Sequence, residues 1–336
     1  MGEGLTRLAP RATMEILKEC SEALIGRDPL ETELIWDDLY SLMLNRGHNR
    51  GFMLEAIAAI DIALWDIRGK ALGLPLFKCL GGSAAPIPCY ASSLRIKKPE
   101  VTAQEAKELV ASGFRGIKLK VGRGRNRLLE DIDSVNAVRE AVGPSIRIMV
   151  DANCGFSLGQ AVRFGRELDR LDITWFEEPL QPENLMDYKI LRSKIDTPIA
   201  AGETWFTRYD FRDALLAGAF DIAQPDVARS GGITETKKIA DLTSAFHVEF
   251  APHTGQSSIV CLTAALHLAA SVPSTSYYEF IAVDWSKTSQ NPLRTQIGNI
   301  NFESFRSDSL VTPPTEPGLG VEIDWDKVKH YSLAPD

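Results

Sequence analysis

Six ionisable residues recur along the chain at nearly constant spacing: Asp151, Glu177, Glu203, Asp226, His253 and Glu279, separated by 26, 26, 23, 27 and 26 residues. Each closes a short β-rich run, in turn IRIMVD, ITWFE, PIAAGE, FDIAQPD, VEFAPH and TSYYE. Two earlier runs, IPCYAS and GIKLKVG, extend the series to eight. Amphipathic stretches fill the intervals, among them TAQEAKELVASG, LLEDIDSVNAVREAVG and LGQAVRFGRELDRL. Strands alternating with helices predict parallel pairing, because a parallel crossover needs a helix-length connection. An open doubly wound sheet competes, but eight similar units fill one closed barrel, so the expected fold class is α/β with a TIM-type barrel. Side chains at the carboxyl ends of barrel strands converge on one mouth, so the six are expected to meet there.

The flanks read differently. Residues 1–85 are mostly helical in pattern, with ATMEILKECSEALIG stopping at Gly26, a natural C-cap. FMLEAIAAIDIALWDIRG, residues 52–69, is apolar around most of its circumference and predicts a buried helix. The chain thus divides into an N-terminal helical cap (1–85), a barrel (86–290) and a C-terminal segment (291–336). That last segment contains TPPTEPGLG and is expected to return to the cap. A net charge of -8 argues against nucleic acid or an anionic membrane surface as a partner. No apolar run is long enough to span a bilayer, and MGEGLTRLAP lacks the apolar region of a signal peptide. Five scattered cysteines without CxxC spacing suggest neither a disulfide framework nor a zinc site. The expectation is a cytoplasmic protein.

Asp151, Glu177 and Glu203 end three consecutive strands. Three carboxylates at one point repel unless a cation neutralises them, and an all-oxygen ligand set favours Mg²⁺ over zinc. The bland alternative is a set of separate surface ion pairs, but few arginines lie near these positions. Glu178 adjoins Glu177; successive strand residues face opposite ways, so Glu177 is taken as the ligand. Lys118 and Lys120 in GIKLKV share one strand face. Each would lower the pKa of the other, which helps one act as a base, unless both point outward and snorkel. Asp226 and His253 end neighbouring strands, and a carboxylate on one imidazole nitrogen fixes the tautomer and raises the basicity of the other. Asn153 and Cys154 follow Asp151 and are expected at the pocket wall. The basic GRGRNR stretch reads as a solvated loop, SGGIT as a glycine turn into a helix, and His48, His247, His267 and His330 as structural.

On these residues the chain resembles the mandelate racemase group of the enolase superfamily over nearly its whole length. The carriers are LWDIRGKALGLPLFKCLGG, the K-x-K of GIKLKVG, VDAN, WFEEP, AGE, QPDVARSGGIT, APHTG and PGLG. The resemblance implies a (β/α)7β barrel with an α+β capping domain built from both chain ends, and a homo-oligomer. It implies Mg²⁺ on Asp151, Glu177 and Glu203. It makes Lys120 one base with Lys118 beside it, and His253–Asp226 a second acid/base. Lys118, Asn153 and Glu279 would bind the substrate, with Glu279 on its carboxylate as that group gains enediolate character. A Lys or His base used with Mg²⁺ is general to the superfamily. Members usually begin with a β-hairpin or meander ahead of the segment that here reads MGEG, so a partial cap is expected. The expected activity is proton abstraction alpha to a carboxylate, with dehydration of an acid sugar to a 2-keto-3-deoxy acid. A racemase or epimerase of a 2-hydroxy acid and a non-catalytic truncated barrel are the alternatives.

Overall fold

The computed structural model describes residues 1–4, 9–124, 127–282 and 292–332. The expected boundary at 290/291 lies outside the described residues. So do Arg125 and Asn126 of the GRGRNR stretch.

The cap begins with α1 (Pro10–Leu24), α2 (Thr32–Leu42), α3 (Phe52–Leu72) and α4 (Leu76–Cys79). The barrel follows as β1 (Ile87–Leu94), α5 (Pro99–Ala111), β2 (Gly116–Lys120), α6 (Leu128–Val142), β3 (Arg147–Asp151), α7 (Leu158–Arg170) and β4 (Trp175–Glu177). It continues through α8 (Leu185–Arg192), β5 (Ile199–Ala201), α9 (Thr207–Ala217), β6 (Ile222–Ala223), the one-turn α10 (Val227–Ser230) and α11 (Gly232–Ala245). It ends with β7 (Glu249–Phe250), α12 (Ile259–Ala269) and β8 (Tyr278–Ile281). The tail adds α13 (Pro292–Thr295), β9 (Arg306–Ser307), β10 (Leu310–Val311) and α14 (Trp325–Tyr331).

Strands β1 to β7 pair in sequence order, all parallel, and β8 returns to pair with β1. Phe250 exchanges backbone hydrogen bonds with Ser274 and Ser276 just before β8, which closes the barrel. Alternation along the strands sorts the side chains. Tyr90, Met149, Trp175, Ala200, Ile222 and Ala251 form a compact cluster, in which Met149, Trp175, Ile222 and Ala251 share the parity of the ionisable residue that ends their strand. We read this cluster as the barrel interior. Residues of the opposite parity, such as Ile117, Ile148, Val150 and Phe176, belong to the larger core with the helices.

Helix α3 is the structural axis of the cap. Its buried residues include Met53, Leu54, Ile57, Ile62 and Trp65, in keeping with a helix apolar on most sides. The SGGIT turn is clamped by this helix and α2. Gly231 and Gly232 take φ +114 and +92, values that favour glycine. A Cβ on Gly232 would lie 2.3 Å from Asp61 Oδ2. The backbone N–H of Thr234 donates to Asp61 (2.9 Å), Trp65 Nε1 donates to Thr234 Oγ1 (2.8 Å), and Trp36 Nε1 donates to the carbonyl of Gly231 (2.7 Å). From the far end of the chain, Leu319 N–H donates to Asp66 (2.9 Å) and the Gly318 carbonyl accepts from Leu76 (3.0 Å). Strand β10 pairs antiparallel with β1, an addition the sequence pattern did not suggest. The ring of His267 bridges Phe77 N–H and the Leu319 carbonyl, a structural position.

One expectation needs correction. Arg123 is not solvated: its side chain is 7% exposed, pairs with Asp131 at 2.9 Å and donates to Ser134. Burial beside an acid outweighs the polarity of the stretch. All five cysteines are free, and among the described residues no helix is long and apolar enough to cross a membrane.

Candidate active site

Asp151 is the last residue of β3, and Glu177 is the last of β4 directly opposite it in register. Glu203 lies two residues beyond β5. Each offers a carboxylate oxygen within 4.8 Å of the others, and all three are buried. Burial, with the charges of Asp151 and Glu279 adding to it and Lys118 offsetting it, pushes Glu177 up to about 8. Such a cluster needs positive charge close by. An all-oxygen, buried, convergent triad fits a hard dication such as Mg²⁺.

The two lysines lie on the same inward face of β2. Lys118 Nζ is 2.6 Å from Glu177, 2.8 Å from Glu279 and 3.9 Å from Asp151. Its side chain is 1% exposed and lies beneath the cavity wall rather than on it. Lys120 pairs with Asp151 and reaches the cavity. Two lysines side by side were expected to depress one another. Burial does work against the charge on Lys120, and Lys118 adds to that, but Asp151 and the other carboxylates outweigh both and raise its pKa. Lys118 is raised further, chiefly by Glu177 and Glu279 overcoming burial. Lys118 does lower Lys120 as expected, and the net rise comes from the acids that outnumber it.

His253 Nδ1 is 2.7 Å from Asp226 Oδ2, and Nε2 is 2.6 Å from Glu203. Burial opposes a charge on the ring, but Glu203, Glu279 and Asp226 hold its pKa well above the usual range. A protonated ring would donate from both nitrogens. Asp226 is fixed in turn because its Oδ1 accepts from Ala228 N–H, capping α10. Glu279 accepts from Thr254 N–H (2.8 Å). Burial alone would raise Glu279, but Lys118 and His253 bring it down to about 2, which makes it an acceptor here. Asn153 donates its backbone N–H to Asp151 (2.8 Å) and lines the cavity with Cys154.

The cavity holds about 510 Å³ and is lined by Lys120, Asn153, Glu178, Glu203, His253 and Glu279 among others. Strict alternation would turn Glu178 away from the centre. Instead Glu178 has φ +38, its side chain swings back to the cavity, and Thr204 Oγ1 donates to it at 2.6 Å. Burial and the charge of Glu203 push it up to about 7. Three further residues escaped the sequence reading. Trp175 Nε1 and Gln224 Nε2 both donate to Glu177 Oε2, at 3.1 and 2.8 Å. Each sits two residues before a strand-end acid, a spacing that could have exposed it. Arg229 donates to the Glu203 carbonyl, and only its place in QPDVARSGGIT hinted at a role.

A closed parallel barrel with a buried carboxylate triad at its mouth, flanked by a lysine and a His–Asp pair, defines a metal-dependent barrel enzyme. Residues 1–81 match the family described as "Mandelate racemase / muconate lactonizing enzyme, N-terminal domain", and residues 101–327 match "Enolase C-terminal domain-like". The chain is 37% identical to the D-galactarolactone cycloisomerase of Agrobacterium fabrum, covering 100% of this chain and 88% of that one. It is 34% identical to the arabinonate dehydratase of Saccharolobus solfataricus, over 96% of this chain and 84% of the relative. A racemase from Streptomyces coelicolor A3(2), solved with bound magnesium, superposes with a TM-score of 0.85 at 30% identity, covering 99% of this chain and 88% of that one. The chain belongs to the mandelate racemase group of the enolase superfamily and is a Mg²⁺-dependent enzyme.

Proposed function

We propose that the enzyme removes the proton alpha to the carboxylate of a polyhydroxy acid and eliminates the oxygen on the next carbon. One observation carries this reading: Lys120 and His253 line the same cavity as Glu203 of the triad. Strands β3 to β6 separate them on one side of the barrel, and β8 and β1 on the other.

Asp151, Glu177 and Glu203 would hold Mg²⁺, which supplies positive charge to the substrate carboxylate as its alpha carbon loses a proton. Lys120 Nζ, once neutral, accepts that proton. His253 Nε2 gives a proton to the departing oxygen as its bond to carbon breaks, and Asp226 keeps the ring oriented for the transfer. Lys118 neutralises Glu177 and Glu279 from beneath. Asn153 and Glu279 contact the substrate. With a free hydroxyl as the leaving group, the enol product tautomerises to a 2-keto acid, the dehydratase outcome. The full-length likeness to a cycloisomerase supports a second reading, in which the leaving oxygen belongs to a ring or lactone and stays in the product. Residues 1–85 and 291–336 would form the cap that covers this barrel.

A panel of aldonates, aldarates and their lactones, assayed with Mg²⁺ by mass spectrometry, separates these outcomes. A keto product lighter by one water supports dehydration, and an isomeric product of equal mass supports cycloisomerisation. Deuterium exchange alpha to the carboxylate without elimination would overturn both and leave racemisation.

A further inference from the structure

The one-turn helix α10 serves two parts of the site at once. At its start Asp226 caps the helix and holds His253 Nδ1. Three residues later Arg229 Nη1 donates to the backbone carbonyl of Glu203 at 2.8 Å. That carbonyl sits where the strand no longer restrains the chain: pairing of β5 ends at Ala201, and Gly202 turns through φ +140. Arg229 also lies over the ring of Phe206, 5.6 Å from its centroid, which steadies the loop after Glu203. On its other side, Nε is 3.7 Å from Glu55 Oε1, an ion pair made to helix α3 of the cap. The Glu55 side chain is 8% exposed and that of Arg229 19%, so the pair is little screened by solvent. Neither residue lines the cavity.

We infer that Arg229 is a positioning residue: it fastens the backbone of the metal ligand Glu203 to cap helix α3, so the metal affinity of the barrel depends on Glu55. A planar guanidinium can serve a carbonyl and a carboxylate at once, which a lysine ammonium does poorly. The inference needs the triad as the metal site but not any particular substrate. Absence of turnover on every acid tested would leave it standing.

The test is Mn²⁺ binding to the full metal-stripped chain, followed by the electron paramagnetic signal of free Mn²⁺, with thermal midpoints recorded alongside. Partners that orient ligands typically change metal affinity by roughly 10–100-fold. Arg229→Lys should weaken Mn²⁺ binding by about tenfold or more. Glu55→Gln should act in the same direction by a smaller factor. The double variant should bind no worse than Arg229→Lys alone, because the path is already cut. Midpoints that fall while all Mn²⁺ affinities stay at the wild-type value would reduce Arg229 to a structural residue and overturn the inference. Unchanged binding in Glu55→Gln, which keeps Arg229 in place even if its own variants do not fold, would overturn the link to the cap.

Discussion

Asp61 makes the contact between cap and barrel sensitive to pH, and the size of the effect follows from its surroundings. Its carboxyl is 2% exposed on α3, under the glycine turn that starts α11. Burial raises its pKa from 3.8 to about 7, although the hydroxyl and backbone N–H of Thr234 favour the charged form. Between those values the unfolded chain gives up a proton that the folded chain keeps, so stability falls as pH rises through the window. Below about pH 4 both states are protonated and the penalty vanishes. Above about pH 7 it is fully present. A shift of about 3 units corresponds to roughly 4 kcal/mol at 1.36 kcal/mol per unit. Asp61→Asn keeps the shape and an acceptor for Thr234 but cannot ionise. Urea unfolding of both proteins from about pH 4 to pH 8 at fixed Mg²⁺ should show the variant gaining on the wild type by roughly 4 kcal/mol across the window. The comparison cancels the titration of the triad, which both proteins share. A stability difference that stays flat with pH would refute the reasoning, since it would mean that Asp61 is not desolvated as its position requires.

Removing a triad ligand should abolish metal-dependent stabilisation. At Mg²⁺ near 100 times its dissociation constant the wild type should gain about 2.7 kcal/mol, and Glu177→Gln or Asp151→Asn should gain little at the same concentration, as read by thermal unfolding. His267 gives the opposite pH dependence to Asp61: burial lowers its pKa to about 4, so its stabilising effect is complete above about pH 6.5 and lost as pH falls toward 4. His267→Gln can keep both hydrogen bonds and should remove roughly 3 kcal/mol of that acid sensitivity, measured as the pH dependence of urea unfolding relative to wild type.

What the sequence made legible was whatever depends on period. The strand-end acids were found because one strand and one helix repeat at nearly fixed length, and Lys118 and Lys120 were placed on one face because strands alternate. The glycine turn at 230–234 and the apolar circumference of α3 were equally local. Electrostatic balance was not legible, because it depends on how many opposite charges a fold brings within a few ångströms. Lys120 is adjacent in sequence to nothing acidic, yet meets Asp151 across a strand pair. Arg123 meets Asp131 eight residues away because the chain turns back into α6. In both places the sequence invited a judgement about neighbours along the chain, and the outcome was set by neighbours in space.

Glu178 sharpens the point, because there the period itself misled. Alternation holds only while the backbone stays extended, and these strands end abruptly: Asn153, Cys154 and Glu178 have φ of +41, +61 and +38, and Gly202 has +140. The departures fall at the ends of β3, β4 and β5, the three strands that lead to the triad. Non-glycine residues held at positive φ cost of order 1–3 kcal/mol each and persist only where their surroundings over-determine them. Here those surroundings are bonds the residues themselves make: Asn153 to Asp151, Cys154 N–H to the Glu178 carbonyl, and Thr204 to Glu178. A strand that simply ran on would point every second side chain into the barrel and no more. Turning sharply just past its last residue lets β4 bring Glu178 to the cavity while Glu177, the residue before it, joins the triad. The strained exits therefore increase the number of polar groups that three short strands can deliver to one small space.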